Sequence, residues 1–175
     1  MIMKTFIIAV ADIREIGEEY KDHPNVIVTG IGQVNSLIAL SKVCKTNPIT
    51  KIFNVGSCVA KHESNVDQII YPNSFLSSIR SFSNDSFVFS EKEEYLPIET
   101  HFEFLTSADN FRHCGFADME AYAQASFCQS NKIEFECIKY VSDWVENTSM
   151  DYWESILSKI QENLNPALKK LLEAL

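Results

Sequence analysis

Glu120, in Asp118-Met119-Glu120-Ala121, and Asp143, in Tyr140-Val141-Ser142-Asp143, are the acidic residues best placed to do chemistry. The first follows the apolar run 114–117 and opens a helical segment. The second closes the strand-like run 135–141 and leads into a polar loop. In open α/β folds, ligands bind at the carboxyl ends of the strands. Two carboxylates there, one helix apart, point to a site shared by neighbouring strands. Each acid taken alone has a plainer reading. A carboxylate at a helix start favours the helix dipole, and an Asp after a strand is often a loop cap.

The other reactive side chains offer less. His113 and Cys114 are adjacent in a strand-like run, where successive side chains face opposite sides, so they make a poor catalytic pair. Cys58 follows Gly56-Ser57, with no base set beside it by any motif. The five cysteines are odd in number, lack C-x-x-C spacing and lie mostly in apolar segments. They read as buried free thiols of a reducing cytoplasm, and argue against a zinc site. Nothing in the sequence calls for a metal or a cofactor. Fifteen basic against 24 acidic residues give a net charge of −9, which works against nucleic-acid binding and favours a small-molecule partner. The apolar stretch 6–11 is too short to span a membrane and reads as a buried first strand.

A chain of 175 residues with 46% apolar content can bury one core, so residues 1–175 are expected to form a single domain. Strand-like runs alternate with helical periods, the order of a parallel or mixed α/β sheet. Residues 5–11 read as a strand covered on both faces, 12–20 as a short helix and 25–29 as the next strand. After Gly30-Ile31-Gly32 comes a helix with Val34, Leu37, Ile38, Ser41 and Cys44 at helical spacing. Residues 51–55 return as strand, ending at Gly56-Ser57. The runs 66–71, 75–82, 87–89 and 102–105 read as short strands, some antiparallel, and 91–94 as a solvated charge run. A helix over 119–131 and a last strand over 135–141 precede a helical tail. There, Asn165 as cap and Pro166 at the first position are expected to start a second helix.

Five motifs then occur in order: Gly30-Ile31-Gly32-Gln33-Val34-Asn35, Asn54-Val55-Gly56-Ser57, Ser107-Ala108-Asp109, Asp118-Met119-Glu120-Ala121 and Val141-Ser142-Asp143. Together they resemble the nucleoside phosphorylase and nucleosidase superfamily, and most closely its 5'-methylthioadenosine/S-adenosylhomocysteine nucleosidases. The resemblance implies a mixed, partly barrel-like sheet flanked by helices. It also implies a homodimer and cleavage of a purine N-glycosidic bond. Asp143 matches the acid that protonates the departing base, with Ser142 to orient it. Glu120 matches the residue that grips the ribose hydroxyls, with Met119 lining the sugar pocket. Ser57 and Lys139 fall at substrate-binding positions. Phe111 matches the position near the base, although core packing explains it equally. Asp109 matches a position that either fixes a loop or meets ligand. Tyr152 or Trp153 falls in the tail that closes over the ligand, and the apolar stripe favours a core role for Trp153.

The chain also departs from the family pattern. The glutamate that activates water after the first strand falls on Arg14 by direct matching and on Glu15 after a one-residue shift, with Asp12 nearby. A glycine-rich continuation is replaced by Cys58-Val59-Ala60, and an arginine four residues before the acid by Lys139. The chain is shorter than most relatives before Gly30, within 82–102 and within 109–118. Phosphorolysis, for which Arg14, Arg80 and Arg112 are the available cations, and a non-catalytic nucleoside-binding protein stand as alternatives to hydrolysis.

Overall fold

The computed structural model describes residues 5–78, 86–88, 95–112 and 114–173. Arg80, His113, the 91–94 charge run and the far ends of the expected 75–82 and 87–89 strands lie outside the described residues. Within them the chain runs β1 (Thr5–Val10), β2 (Val26–Val28), α1 (Gln33–Thr46), β3 (Ile49–Ala60), β4 (Ile69–Ile70), β5 (Ser74–Ser77), β6 (Ser86–Val88), β7 (Pro97–Thr100), β8 (Phe116–Asp118), α2 (Ala121–Asn131), β9 (Glu134–Trp144), α3 (Met150–Ser155) and α4 (Leu157–Glu173). The result is a mixed α/β sheet flanked by helices.

The apolar run of β1 is continuous because helices cover the sheet on both sides. Ile7 and Ala9 pack with Leu40 of α1 and Ala121, Ala125 and Cys128 of α2. Phe6, Ile8 and Val10 face Ile160, Leu164 and Leu168 of α4. Each such side chain, fully buried, stabilises the fold by roughly 1.5–3 kcal/mol. The same period of two governs β9, where Phe135, Cys137 and Val141 take the α2 side. Lys139 shares their parity, so its cation is carried into the interior.

The sheet runs β2-β1-β3-β8-β7-β5-β6, with β9 on the other edge of β3 and β4 beyond β9. Strand β3 is where it forks. One edge pairs with β9 from Lys51 to Ala60, in parallel. The opposite edge pairs with β1 only as far as Asn54, and with β8, antiparallel, from Val59. Between these partners, residues 55–58 border a gap. A β-bulge on the β9 edge moves the register so that Cys58 faces Val141 while Val59 faces Asp143. Ser142 is the extra residue, and such bulges re-aim the side chains that follow them.

Several elements differ from the sequence reading. Residues 12–20 form two 3-10 turns, Ile13–Glu15 and Glu18–Tyr20, separated by Gly17 at φ 112°, which no continuous helix allows. Residues 102–105 are not a strand. Strand β7 lies just before them, hidden because the buried Glu99 and Thr100 interrupt its apolar pattern. Pro166 lies inside α4 and starts no helix. Its ring is exposed, while Ile160, Leu164 and Leu168 form one unbroken buried stripe that holds the helix together across it. The break falls at Ile156 instead.

Candidate active site

The gap in β3 opens into a cleft of about 730 Å3, its mouth included. Four buried carboxylates line it: Glu15 from the turn after β1, Asp118 at the end of β8, Glu120 after β8 and Asp143 near the end of β9.

Glu15 is held from β3. Its Oε1 accepts from Ser57 N at 2.8 Å and from Ser57 Oγ at 2.6 Å, bonds that the missing strand partner leaves free to form. Its Oε2 is buried and has no hydrogen-bond partner among the described residues. A Cβ on Gly56 would stand 2.9 Å from that oxygen, so the glycine makes room for the acid. Burial pushes the Glu15 carboxyl above its ordinary range, against the pull of the Ser57 bonds and of Lys139.

Glu120 occupies the N-cap position of α2 but makes no cap bond there. Its Oε1 instead accepts from Gly32 N at 2.7 Å, at the start of α1, where Gly32 sits at φ 94°. The helix whose dipole it meets is therefore α1. Burial, reinforced by Asp118 and Glu15, raises its pKa to about 7, while Lys139 and the Gly32 amide pull the other way. The folded chain thus holds this proton at pH values where the unfolded chain, with a reference near 4.5, has lost it. The stability this group contributes is complete below the unfolded value and is lost as pH rises through about 7. Glu120→Gln is expected to raise the melting temperature at pH 8, with the gain shrinking toward pH 5. A pH series of thermal unfolding checks this, and a gain that grows toward acid pH contradicts it.

Asp143 accepts a very short hydrogen bond from Ser142 Oγ, whose oxygen also lies 3.3 Å from Cys58 O. Burial raises its pKa, and hydrogen bonds with Ser142 and Thr148 lower it in part. A carboxyl so placed keeps its proton nearer neutrality than an exposed one.

Lys139 holds these acids together. Its Nζ lies 2.9 Å from Asp118 Oδ2, with both side chains buried. Asp118 also accepts from Thr100 Oγ1 at 2.7 Å and from Ala121 N at 2.9 Å, which caps α2. Burial works against the lysine cation, but Asp118, Glu120 and Glu15 outweigh it and raise its pKa. Five carboxylates (Glu15, Glu103, Asp118, Glu120 and Asp143) line the cleft against this one lysine.

No family model matches the sequence, and no curated protein matches it. Solved structures do. A putative 5'-methylthioadenosine/S-adenosylhomocysteine nucleosidase from Borrelia burgdorferi, bound to adenine, is similar at 21% identity and a TM-score of 0.79, over 97% of this chain and 100% of that one. The corresponding nucleosidase from Helicobacter pylori, with butyl-thio-DADMe-Immucillin-A, is similar at 13% identity and a TM-score of 0.82, over the whole of both chains. A futalosine hydrolase mutant from Helicobacter pylori is similar at 14% identity and a TM-score of 0.81, over 99% of this chain and 100% of that one.

The chain has the nucleosidase fold.

On this nucleosidase fold Glu15, Ser57, Met119, Glu120, Lys139, Ser142 and Asp143 come together around one cleft. Three other expected site residues do not line it. Asp12 is turned to Arg14, accepting from its backbone N and from its guanidinium, with Nη2–Oδ2 at 2.9 Å. Of the positions open for a base after β1, only Glu15 reaches the cleft. Phe111 is buried with Leu105, Ala117 and Val145, and its ring centroid lies 6.4 Å from that of His101. Tyr152 is half-buried on α3 beside the cleft residue Trp153. Ser107 caps the 3-10 turn Ala108–Asn110, its Oγ accepting from Asp109 N, and none of Ser107, Ala108 and Asp109 lines the cleft.

Residues 101 and 103–105, after β7, line the cleft instead, and only the unrecognised strand before them could have signalled it. Trp153 is both core and site: it packs with Ile160 and Leu164, and its Nε1 donates to Ser57 Oγ at 3.0 Å. Among the described residues no helix is long and apolar enough to cross a membrane. No group of three or more His, Cys, Asp or Glu there could hold a metal ion.

Proposed function

We propose that this cleft hydrolyses the N-glycosidic bond of a purine nucleoside such as 5'-methylthioadenosine or S-adenosylhomocysteine and releases the free base. The observation that carries the reading is the convergence on one cleft of three buried carboxyl groups, Glu15, Glu120 and Asp143, in three different hydrogen-bonding settings beside the lysine-paired Asp118. Asp143, its pKa raised, donates a proton to the imidazole-ring nitrogen of the purine. The electron pair of the breaking bond goes to the base as the sugar takes on oxocarbenium character. Glu15, with Oε2 unpartnered, takes the proton of a water that adds to the anomeric carbon. Glu120 accepts from the ribose hydroxyls, and its negative charge favours the cationic transition state over the ground state. Met119 lines the sugar pocket. Leu105 packs with Val59, the residue opposite Asp143, and with Phe104 gives the base end of the cleft an apolar wall.

Phosphorolysis is disfavoured by the charge of the cleft. Its one lysine is already paired with Asp118, and an entering phosphate would meet five acidic side chains and no free cation among the described cleft residues. Arg14 is engaged by Asp12 and Glu154, outside the cleft. A cytoplasmic homodimer belongs to the same reading. The test is to incubate the purified protein with methylthioadenosine, adenosylhomocysteine and inosine, with and without phosphate, and to assay free base. Release without phosphate is the expected result. Release only with phosphate would sink the proposal, and binding without turnover would leave a nucleoside-binding protein in its place.

A further inference from the structure

Both hydrogen bonds from Ser57 end on the same oxygen of Glu15. Ser57 Oγ accepts in turn from the indole Nε1 of Trp153 at 3.0 Å. An indole N–H can only donate, and a serine hydroxyl has a single proton to give. With Trp153 occupying a lone pair of the hydroxyl, that proton is directed to Glu15 Oε1. The carboxylate is thereby fixed by one oxygen, and Oε2, buried beside Gly56 where Glu15 lines the cleft, is left without a partner. Trp153 is itself well anchored. Arg14 joins α3 through Glu154 at 3.0 Å, and its guanidinium lies 5.3 Å from the centroid of the indole.

We infer that Trp153 is a positioning residue for Glu15, acting through Ser57 to fix which carboxylate oxygen faces the attacking water. The inference rests on the nucleosidase reading of Glu15 and extends it to helix α3. Packing and proton donation are separable at this position. Phenylalanine retains an aromatic ring in the cluster with Ile160 and Leu164 but has no proton to give.

The charged groups that face Glu15 are Lys139 of β9, Glu120 after β8 and Asp12 of its own loop. Ser57 is the hydrogen-bond donor to its Oε1. Without Trp153 the hydroxyl of Ser57 is free to rotate away. The proton on Glu15 is then held to higher pH, because burial already favours it and the Ser57 bonds oppose it.

The experiment compares wild type, Trp153→Phe, Ser57→Ala and the double variant by pH profiles of methylthioadenosine cleavage. Glu15 is titrated in parallel through its carboxyl carbon by NMR. Trp153→Phe is expected to lower kcat about tenfold with little change in KM, and to move the acidic limb and the Glu15 titration up by about half to one pH unit. The double variant is expected to be no worse than Ser57→Ala alone, since both changes cut one chain of bonds. Additive losses, or an unmoved Glu15 titration in Trp153→Phe, overturn the inference. If the wild type cleaves nothing, the nucleosidase reading fails. The carboxyl titration then decides the relay by itself: a raised pKa in Trp153→Phe upholds it, and an unchanged one refutes it.

Discussion

Asp143→Asn is expected to slow base release by roughly 10²–10⁴-fold, the usual worth of a positioned general acid. The substitution keeps the shape of the side chain and an oxygen to accept from Ser142 Oγ, so the bulge of β9 has no reason to change. What disappears is a transferable proton. A neutral purine is a poor leaving group without one, because the electron pair of the broken bond must reside on the base. The loss should therefore fall on kcat, with KM for methylthioadenosine nearly unchanged. The buried Asp143 carboxyl has its pKa raised, so its removal should cost no thermal stability near neutral pH. Steady-state kinetics and melting curves on the same preparation separate the two effects. Unchanged kcat would reject Asp143 as the acid, and a collapsed melting temperature would make it a structural residue.

The second large effect belongs to stability. Lys139→Met should cost about 3–5 kcal/mol, the typical result of removing one partner from a buried ion pair. In a chain of this size that corresponds to a melting temperature lower by about 10 °C. The cause is the company the lysine keeps. Asp118 lies 2.9 Å away at 1% exposure, and both Glu15 and Glu120 are held down by the same cation. Methionine fills similar space but leaves Asp118 without a countercharge. Adding Asp118→Asn to Lys139→Met should recover much of the loss, because the uncompensated charge goes with it. Thermal unfolding of the two variants at pH 7 checks this. A melting temperature within about 2 °C of wild type for Lys139→Met would show that Asp118 finds its compensation elsewhere.

The strands covered on both faces were legible because burial leaves a continuous apolar run, as in β1 and much of β9. Glu120 and Asp143 stood out in the sequence as acids at the ends of strand-like runs, whereas Glu15 was one of three residues left open after β1. The fork of β3 was not legible, because pairing with different partners along one edge leaves no mark on the strand's own sequence. It is this fork that brings Ser57 to Glu15. The stretch 102–105 was misread for a related reason: the strand that positions it buries Glu99 and Thr100, with Glu99 accepting from Arg112 N and lying 3.0 Å from His101 Nε2. Polar partners replaced the hydrophobic pattern by which a buried strand is recognised. Trp153 shows the limit from the other side. Its place on an apolar stripe was correctly read as core, yet the stripe says nothing about where the indole N–H points. Pro166 misled because its positional preference is weaker than a stripe of buried leucines.

The most direct test of the account is to run the reaction in 18O-labelled water with phosphate present and to weigh the sugar product by mass spectrometry. Attack by water in the cleft predicts one 18O at the anomeric carbon of a free sugar, released with an equal amount of base. The anomeric hydroxyl exchanges slowly with solvent, so early time points and a control with unlabelled sugar in labelled water are included. A sugar 1-phosphate as the product, or no free base at all, would contradict it.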